Sequence, residues 1–124
     1  MTRDPAPPAI LLVEDEPLIA MLVEDYFDLL GYRVAAQADC LADAAPLVEA
    51  GGFDAALLDV NLREGEVVWP LADRLAERGI PFVLATGGDG HNVPPRHAAA
   101  PVLAKPYTLD EMKAVFGRVF ADDN

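Results

Sequence analysis

The stretch Asp54-Ala55-Ala56-Leu57-Leu58-Asp59-Val60-Asn61-Leu62 decides the fold that we predict for this chain. Its apolar run, residues 55–58, has the length and continuity of a strand buried on both faces of a parallel sheet. Asp59 follows where the apolar character stops. Ligands bind to open parallel sheets at the carboxyl ends of the strands, so we expect Asp59 to lie in a functional site.

Four other apolar runs of strand length flank this one in the chain. They are residues 9–13, the weaker run 32–36, residues 81–85 and residues 102–104. Segments with the helical spacing of apolar residues separate them. Five strands alternating with helices predict a doubly wound α/β fold, in which right-handed crossovers bring all the strand carboxyl ends to one edge.

The first helix is predicted to begin at Pro17, since proline suits the first helical position, and to end at Gly31, a C-terminal cap. Apolar residues recur along it at helical spacing. These residues are Leu18, Leu22, Tyr26, Leu29 and Leu30.

The other helices show start and stop signals of the same kind. Asp39 is predicted to cap a second helix that runs to Ala50, and Pro46 in its interior should kink or shorten it. A third helix is predicted from about Val67 to Arg78. The sequence Thr108-Leu109-Asp110-Glu111 is a capping box that opens the last helix.

The segment between the fourth and fifth strands is poor material for a helix. It contains Gly87-Gly88-Asp89-Gly90, Pro94 and Pro95, so we expect a short or mobile fourth helix of about one turn. His91 and His97 lie in this segment without a nearby cysteine. We predict that both are solvated surface residues and not metal ligands.

Composition excludes several classes of protein. The formal net charge of −12 argues against nucleic-acid binding, because the chain cannot neutralise a run of phosphates. No apolar run approaches the ~20 residues of a membrane span. The single cysteine, Cys40, fits a reducing cytosol, so we expect a cytoplasmic protein. We expect a flexible tail over residues 1–8 and one domain over residues 9–121.

Side chains suited to phosphoryl chemistry are expected to meet at the predicted sheet edge. The first strand brings Glu14 and Asp15, the third Asp59, the fourth Thr86 and the fifth Lys105. Adjacent carboxylates repel unless a cation intervenes, and Mg²⁺ with its preference for oxygen ligands is the natural one. One carboxylate could then attack phosphorus, while the lysine and the threonine hydroxyl stabilise the transferring oxygens. Each residue alone has a simpler role as a cap or turn residue, but their order at successive strand ends argues against coincidence.

Four motifs carry a resemblance to a known family. Val13-Glu14-Asp15-Glu16-Pro17, Leu58-Asp59-Val60-Asn61-Leu62, Ala85-Thr86-Gly87 and Lys105-Pro106-Tyr107 together resemble the receiver domain of two-component response regulators. The resemblance covers residues 9–121. It implies a flavodoxin-like five-stranded parallel sheet in the order 2-1-3-4-5, with helices on both faces and no output domain.

The resemblance implies a phosphorylation site with a magnesium ion. Asp59 matches the phospho-accepting aspartate. Asp15 matches a direct Mg²⁺ ligand, and Glu14 matches the acidic residue that acts largely through water. Asn61 matches the position whose main-chain carbonyl completes the metal site.

The resemblance also implies how the site signals. Thr86 matches the switch hydroxyl, and Lys105 matches its charge partner, joined to Pro106 by a cis peptide bond. The family's aromatic switch residue is replaced here by Val102, which puts a threonine–aromatic relay in doubt. The stretch 81–88 resembles an atypical subgroup, called FAT GUY, that is associated with histidine kinases of the HWE type and with an altered fourth helix.

The function implied is that of a single-domain response regulator in a phosphorelay. It would take a phosphoryl group from a sensor histidine kinase onto Asp59 and lose it by self-catalysed hydrolysis, without being an enzyme in any wider sense. Its output would be a switch, relay or phosphate sink acting through partners, such as a histidine phosphotransferase or a downstream regulator.

Two other classes of protein are alternatives to this function: an interaction module and an enzyme of the same architecture. A phosphorylation-independent interaction module is suggested by Val102 in place of the aromatic residue. An aspartate-dependent phosphatase normally needs an acidic residue where this chain has Asn61, and a flavin protein needs a phosphate loop after the first strand that this chain lacks.

Overall fold

The computed structural model describes residues 7–87 and 93–121, so most of the predicted tail lies outside the described residues. The strands are β1 (Ala9–Val13), β2 (Arg33–Ala38), β3 (Ala55–Asp59), β4 (Phe82–Thr86) and β5 (Val102–Ala104). The α-helices are α1 (Pro17–Leu30), α2 (Leu41–Ala50), α3 (Trp69–Glu77) and α4 (Leu109–Ala121).

The five strands form one parallel sheet in the order β2-β1-β3-β4-β5. This confirms the predicted doubly wound, flavodoxin-like α/β fold. Val13 pairs with Leu58, and the next residue of β3, Asp59, pairs with Ala85. The carboxyl ends of β1, β3 and β4 are therefore level with one another, and whatever follows these strands is brought to the same edge.

Alternating residues of the central strands fill two separate cores. Leu11, Val13, Ala56 and Leu58 face α2 and α3, whereas Ile10, Leu12, Ala55 and Leu57 face α1 and α4. Every residue of β1, β3 and β4 is buried. Continuous apolar runs are the pattern expected of strands that are covered on both faces, and the prediction from residues 55–58 rested on this pattern.

The apolar residues predicted at helical spacing in α1 face the core only in part. The helix buries Ala20, Val23 and Phe27, and Tyr26 and Leu30 are partly buried against the same core. Leu18, in contrast, is 80% exposed and Leu29 is 71% exposed. The sequence carries apolar residues on two faces of this helix, so their spacing did not distinguish the face toward the sheet. The helix limits were predicted correctly, with Pro17 in the first turn and Gly31 as a left-handed C-cap at φ 86°.

Two further details of the prediction needed correction. The strand β2 is longer than predicted and extends to Ala38. The second helix is capped by Cys40 rather than by Asp39, and it continues through Pro46 to Ala50 without being shortened. The proline is exposed, while Ala44 and Val48 hold the helix against the sheet, so packing compensates for the missing backbone N–H.

The last helix begins as its sequence predicted. The Thr108 N–H donates to the Glu111 carboxylate at 2.8 Å, and the Glu111 N–H donates to the Thr108 hydroxyl at 3.1 Å. Tyr107 and Met112 on either side are both buried. The capping box therefore fixes the start of α4 directly after the Lys105–Pro106 bond, which is cis as predicted.

We call the segment between β4 and β5 the connector. In its described residues 93–101 the structure has one 3₁₀ turn, Pro95–His97, and no α-helix, which agrees with the prediction of about one turn. His91 lies outside the described residues. The prediction that His97 is a solvated surface residue was wrong, because it is buried.

His97 anchors the connector to α3. Its Nε2 atom lies 2.6 Å from Asp73 Oδ1, its ring stacks on Trp69 at 6.0 Å, and its edge meets Phe82 at 5.4 Å. Arg96 makes two hydrogen bonds to the same Asp73 carboxylate, at 2.6 and 3.2 Å. The hydrogen bonds from Arg96, and to a smaller extent the one from His97, hold the pKa of Asp73 below its usual range. These partners are distant in sequence, so no local pattern could have indicated them.

None of the helices in the described ranges is long and apolar enough to cross a membrane.

The orientation of α1 gives a stability prediction. Phe27 is fully buried and meets the edge of Phe116 at 5.1 Å, so Phe27→Ala should lower the free energy of unfolding by about 3–5 kcal/mol. Leu29→Ala, the control on the exposed face, should change it by less than about 0.5 kcal/mol. Urea denaturation followed by circular dichroism measures both. Similar losses in the two variants would contradict this orientation of the helix.

Candidate functional site

Three carboxylates meet at the carboxyl edge of the sheet. Glu14 and Asp15 follow β1, and Asp59 ends β3, so the level register of these strands places them side by side. Each offers a carboxylate oxygen, and these atoms all lie within 4.8 Å of one another. We call these three residues the acidic cluster. Glu14 and Asp59 are buried, and Asp15 is half-buried at the mouth.

Lys105 enters the acidic cluster from the end of β5. Its Nζ atom lies 2.8 Å from Asp59 Oδ2 and 3.1 Å from Glu14 Oε1. Backbone donors hold the same two carboxylates: the Asn61 N–H donates to Asp59 Oδ1 at 3.3 Å, and the Glu16 N–H donates to Glu14 Oε2 at 3.1 Å. Both carboxylates are therefore fixed in orientation before any ligand arrives.

A cleft of about 230 Å³ opens over the acidic cluster. It is lined by Asp15, Glu16, Asp59, Asn61, Gly87 and Lys105. Thr86 is buried at the end of β4, and its carbonyl accepts a hydrogen bond from the Lys105 N–H at 2.8 Å. The structure therefore brings Glu14, Asp15, Asp59, Asn61 and Lys105 together, and it places Thr86 beside them without making it part of the lining.

Burial dominates the electrostatics of the acidic cluster. Burial, with the nearby Asp59 carboxylate, raises the pKa of Glu14 to about 7, against the lowering effects of the Glu16 N–H and Lys105. Burial likewise raises the pKa of Asp59 despite its hydrogen bond to Lys105. The pKa of Lys105 is raised, because its carboxylate partners outweigh the opposing effect of its own burial. The site thus disfavours two full negative charges beside one ammonium.

The donor set suits a divalent cation. Three carboxylates and one ammonium leave an excess of two negative charges when all are ionised, and oxygen is the ligand type that Mg²⁺ prefers. The half-exposed Asp15, together with Asp59 and Asn61 on the cleft lining, could hold such an ion, with Glu14 deeper below them. The residues present therefore fit the predicted metal.

A larger cavity elsewhere is not a competing active site. A groove of about 630 Å³ lies between the end of α3, the connector and α4, at the amino ends of β4 and β5. Its lining includes Arg96, His97 and Arg118 but no carboxylate. It lies at the opposite edge of the sheet from the acidic cluster, so we place the chemistry in the smaller cleft.

Two residues near the site make arrangements that the sequence did not predict. Glu66, in the loop after β3, accepts a hydrogen bond from the Leu41 N–H at 3.0 Å and so ties the start of α2 to that loop. The hydroxyl of Tyr107 is buried and has no hydrogen-bond partner among the described residues. Tyr107 belongs to the Lys105-Pro106-Tyr107 motif, but that motif gave no indication of a buried hydroxyl without a partner.

Comparison with known proteins gives consistent results. No family model matches the sequence. Among solved structures, SdrG from Sphingomonas melonis Fr1 is 47% identical with a TM-score of 0.83, covering 94% of this chain and 99% of that one. A second structure, the BeF3-activated conformation of SdrG, is 49% identical with a TM-score of 0.72, covering 91% and 92%.

Two other similar proteins are a receiver domain solved with magnesium and a motility regulator. The receiver domain of the sensor histidine kinase PA1611 from Pseudomonas aeruginosa PAO1, solved with a magnesium ion in its active-site cleft, is 27% identical with a TM-score of 0.78, covering 91% of this chain and 97% of that one. The swarming motility regulation protein RssB from Serratia marcescens is 33% identical over 107 residues, which are 83% of this chain. This match spans about half of RssB, 48% of its length.

The raised pKa of Glu14 gives a pH-dependent prediction. The folded protein holds the Glu14 proton more tightly than the unfolded chain does. Protonated Glu14 therefore contributes its full amount to the free energy of unfolding below pH 4.5, and this contribution is lost as the pH rises through about 7. Glu14→Gln cannot ionise. Without divalent cations it should therefore be more stable than the wild type at about pH 8, by on the order of 2 kcal/mol, and nearly equal at about pH 4.5.

Urea unfolding across this pH range measures the effect, with the exposed Glu64→Gln as the control that should follow the wild type throughout. If the stability difference between Glu14→Gln and the wild type were the same at all pH values, the raised pKa of Glu14 would be contradicted.

Proposed function

This chain belongs to the receiver domains of two-component response regulators, and we propose that it accepts a phosphoryl group on Asp59 from a sensor histidine kinase in a Mg²⁺-dependent reaction. One observation carries the proposal: Asp59 is a buried carboxylate in an acidic cluster, with the Lys105 ammonium 2.8 Å away and a cleft open to solvent above it. A purely structural aspartate would not need the two further carboxylates.

The reaction follows from the placement of these groups. An Asp59 carboxylate oxygen attacks phosphorus, the new O–P bond forms, and the P–N bond to the kinase histidine breaks, so that the bond's electron pair returns to the imidazole. The Asn61 N–H and Lys105 keep the carboxylate oriented before attack. Lys105 also offsets the negative charge of the transferring oxygens. A bound Mg²⁺ would supply further charge neutralisation at the same oxygens.

Removal of the phosphoryl group from Asp59 requires only water. Attack of water on phosphorus breaks the O–P bond, releases inorganic phosphate and restores the Asp59 carboxylate. We propose no other enzymatic activity, because the acid/base residue that a phosphatase would need is replaced by Asn61, which contributes its backbone N–H to Asp59.

We propose that the phosphorylated state acts in the cytoplasm through protein partners, as a switch or as a relay or sink. Thr86 and Gly87 join the site to the connector, and His97 fixes the far end of the connector to α3. Val102, at the place of the family's aromatic switch residue, is 47% exposed on β5. The signal would therefore pass through the connector rather than through an aromatic ring. This fits the altered fourth helix of the FAT GUY subgroup, and we propose a histidine kinase of the HWE type as the phosphoryl donor.

The exposed face of α1 supports docking of a protein near Asp59. Leu18, Met21 and Leu22 are all exposed on the first turns of the helix, directly after the acidic residues that follow β1. Neighbouring exposed apolar residues mark protein interaction sites. A kinase that brings its phosphohistidine to the cleft would cover this turn.

The first prediction tests the chemistry. After incubation with acetyl phosphate and Mg²⁺, intact-mass analysis should show one phosphoryl adduct per chain, and Asp59→Asn should abolish it. Asp28→Asn, a change of the same kind on the exposed side of α1, should leave the adduct intact, and a chelator should prevent it. Failure of the wild type to form an adduct would favour a phosphorylation-independent interaction module.

The second prediction separates docking from chemistry. Leu18→Glu should slow phosphotransfer from a histidine kinase that phosphorylates the wild type by about ten-fold or more, because a charge replaces an apolar contact. Leu29→Glu is the matched control: it has a similar exposure but lies eleven residues further along α1, about 16 Å away. Phosphorylation by acetyl phosphate should be unchanged in both variants, and a loss of that reaction in Leu18→Glu would point to a damaged site instead.

A further inference from the structure

The loop between β3 and α3, residues 60–68, folds back on itself as a short hairpin. Asn61 and Val67 form an antiparallel bridge across it, and the Leu62 N–H donates a hydrogen bond to the Glu66 carbonyl at 2.9 Å. We call these residues the β3–α3 hairpin. The main chain of Asn61 on one side and the residue Glu66 on the other therefore belong to one hydrogen-bonded unit.

The first side of the β3–α3 hairpin serves the cleft. Asn61 lines the cleft over the acidic cluster and is one of the residues that we place around a divalent cation. Its N–H donates to Asp59 Oδ1 at 3.3 Å, which is longer than the usual range of about 2.7–3.2 Å for such a bond. This bond is weak, so the alignment of Asn61 with Asp59 depends on how the rest of the hairpin is held.

The second side of the β3–α3 hairpin is anchored on α2 by a side chain. The carboxylate of half-buried Glu66 accepts a hydrogen bond at 3.0 Å from the N–H of Leu41, the first residue of α2. Among the described residues, the N-cap residue Cys40 makes no side-chain capping hydrogen bond, so Glu66 supplies the missing acceptor. Because Ala44 and Val48 are buried in the core, α2 is a fixed support for the hairpin.

We propose that Glu66 is a positioning residue for the phosphorylation site: its carboxylate anchors the β3–α3 hairpin on α2 and thereby keeps the main chain of Asn61 aligned with Asp59. This inference rests on the proposed function. Groups that orient the ligands of a metal without touching it commonly change metal affinity by about 10- to 100-fold. Glu66 therefore sets the affinity of the cleft for Mg²⁺ from outside the acidic cluster.

The variant Glu66→Ala removes the acceptor for the Leu41 N–H and keeps the backbone hydrogen bonds of the hairpin. Its affinity for Mg²⁺, measured by titration of the Asp15 and Asn61 amide resonances, should fall by about ten-fold. Glu66→Gln retains a side-chain oxygen that can accept the same hydrogen bond, so it should bind Mg²⁺ as the wild type does. Without metal, the Leu62 amide should exchange its hydrogen faster in Glu66→Ala than in Glu66→Gln, because the hairpin is no longer anchored.

The matched control is Glu64→Ala, which removes a negative charge from an exposed side chain in the same hairpin. It should keep the wild-type affinity for Mg²⁺. An equal loss of affinity in Glu64→Ala would overturn the inference, because the loss of one charge near the cleft would then explain the effect.

A second variant separates positioning from helix capping. The extended backbone of Cys40 suits a serine cap, so Cys40→Ser supplies α2 with an acceptor of its own. Combined with Glu66→Ala, it caps the helix again but leaves the hairpin unanchored. The Mg²⁺ affinity of this double variant should stay about ten-fold below that of the wild type. A return to the wild-type affinity would show that Glu66 acts only on α2 and would overturn the inference.

The outcomes distinguish the two proposals. If the wild type neither responds to Mg²⁺ nor forms a phosphoryl adduct, the proposed function fails. If the wild type does both and Glu66→Ala binds Mg²⁺ equally well, the function stands and the positioning role of Glu66 is overturned.

Discussion

The ammonium of Lys105 lies between two buried carboxylates, and much of the structure serves to hold these charges together. Asp59 and Glu14 would repel each other strongly in a poorly solvated site if nothing lay between them. Burial already raises the pKa of both carboxyls, so the site is held at the limit of the negative charge that it can carry. This repulsion favours the binding of a further cation in the cleft, which is what the proposed phosphoryl transfer would require.

The sheet is the device that maintains this arrangement. Its central strands are covered on both faces by apolar layers, so their register is fixed and a slip would bury the wrong side chains. Since all five strands run in the same direction, residues from β1, β3 and β5 reach one edge from distant parts of the sequence. The capping box at Thr108 fixes the start of α4 three residues after Lys105.

The two faces of the sheet are covered by different kinds of segment. On the side of α2 and α3, the connector lies over the end of α3 and is held there by His97 and its aromatic neighbours rather than by a helix. On the other side, α1 covers the sheet through Ala20, Val23 and Phe27 while presenting leucines to solvent. A partner arriving at α1 and a signal leaving through the connector would thus use opposite faces, joined by the acidic cluster and by Thr86.

The sequence by itself determined the parallel α/β fold, the strand order through its resemblance, the capping box and the residues that gather at the sheet edge. These follow from local patterns: apolar runs of strand length, caps at fixed offsets and short motifs at strand ends. Only the tertiary structure decided which face of α1 is buried, because apolar residues occupy two faces and packing against Phe116 selects one. It also decided that His97 is buried against Asp73, since this contact depends on groups far away in the chain that no local pattern connects.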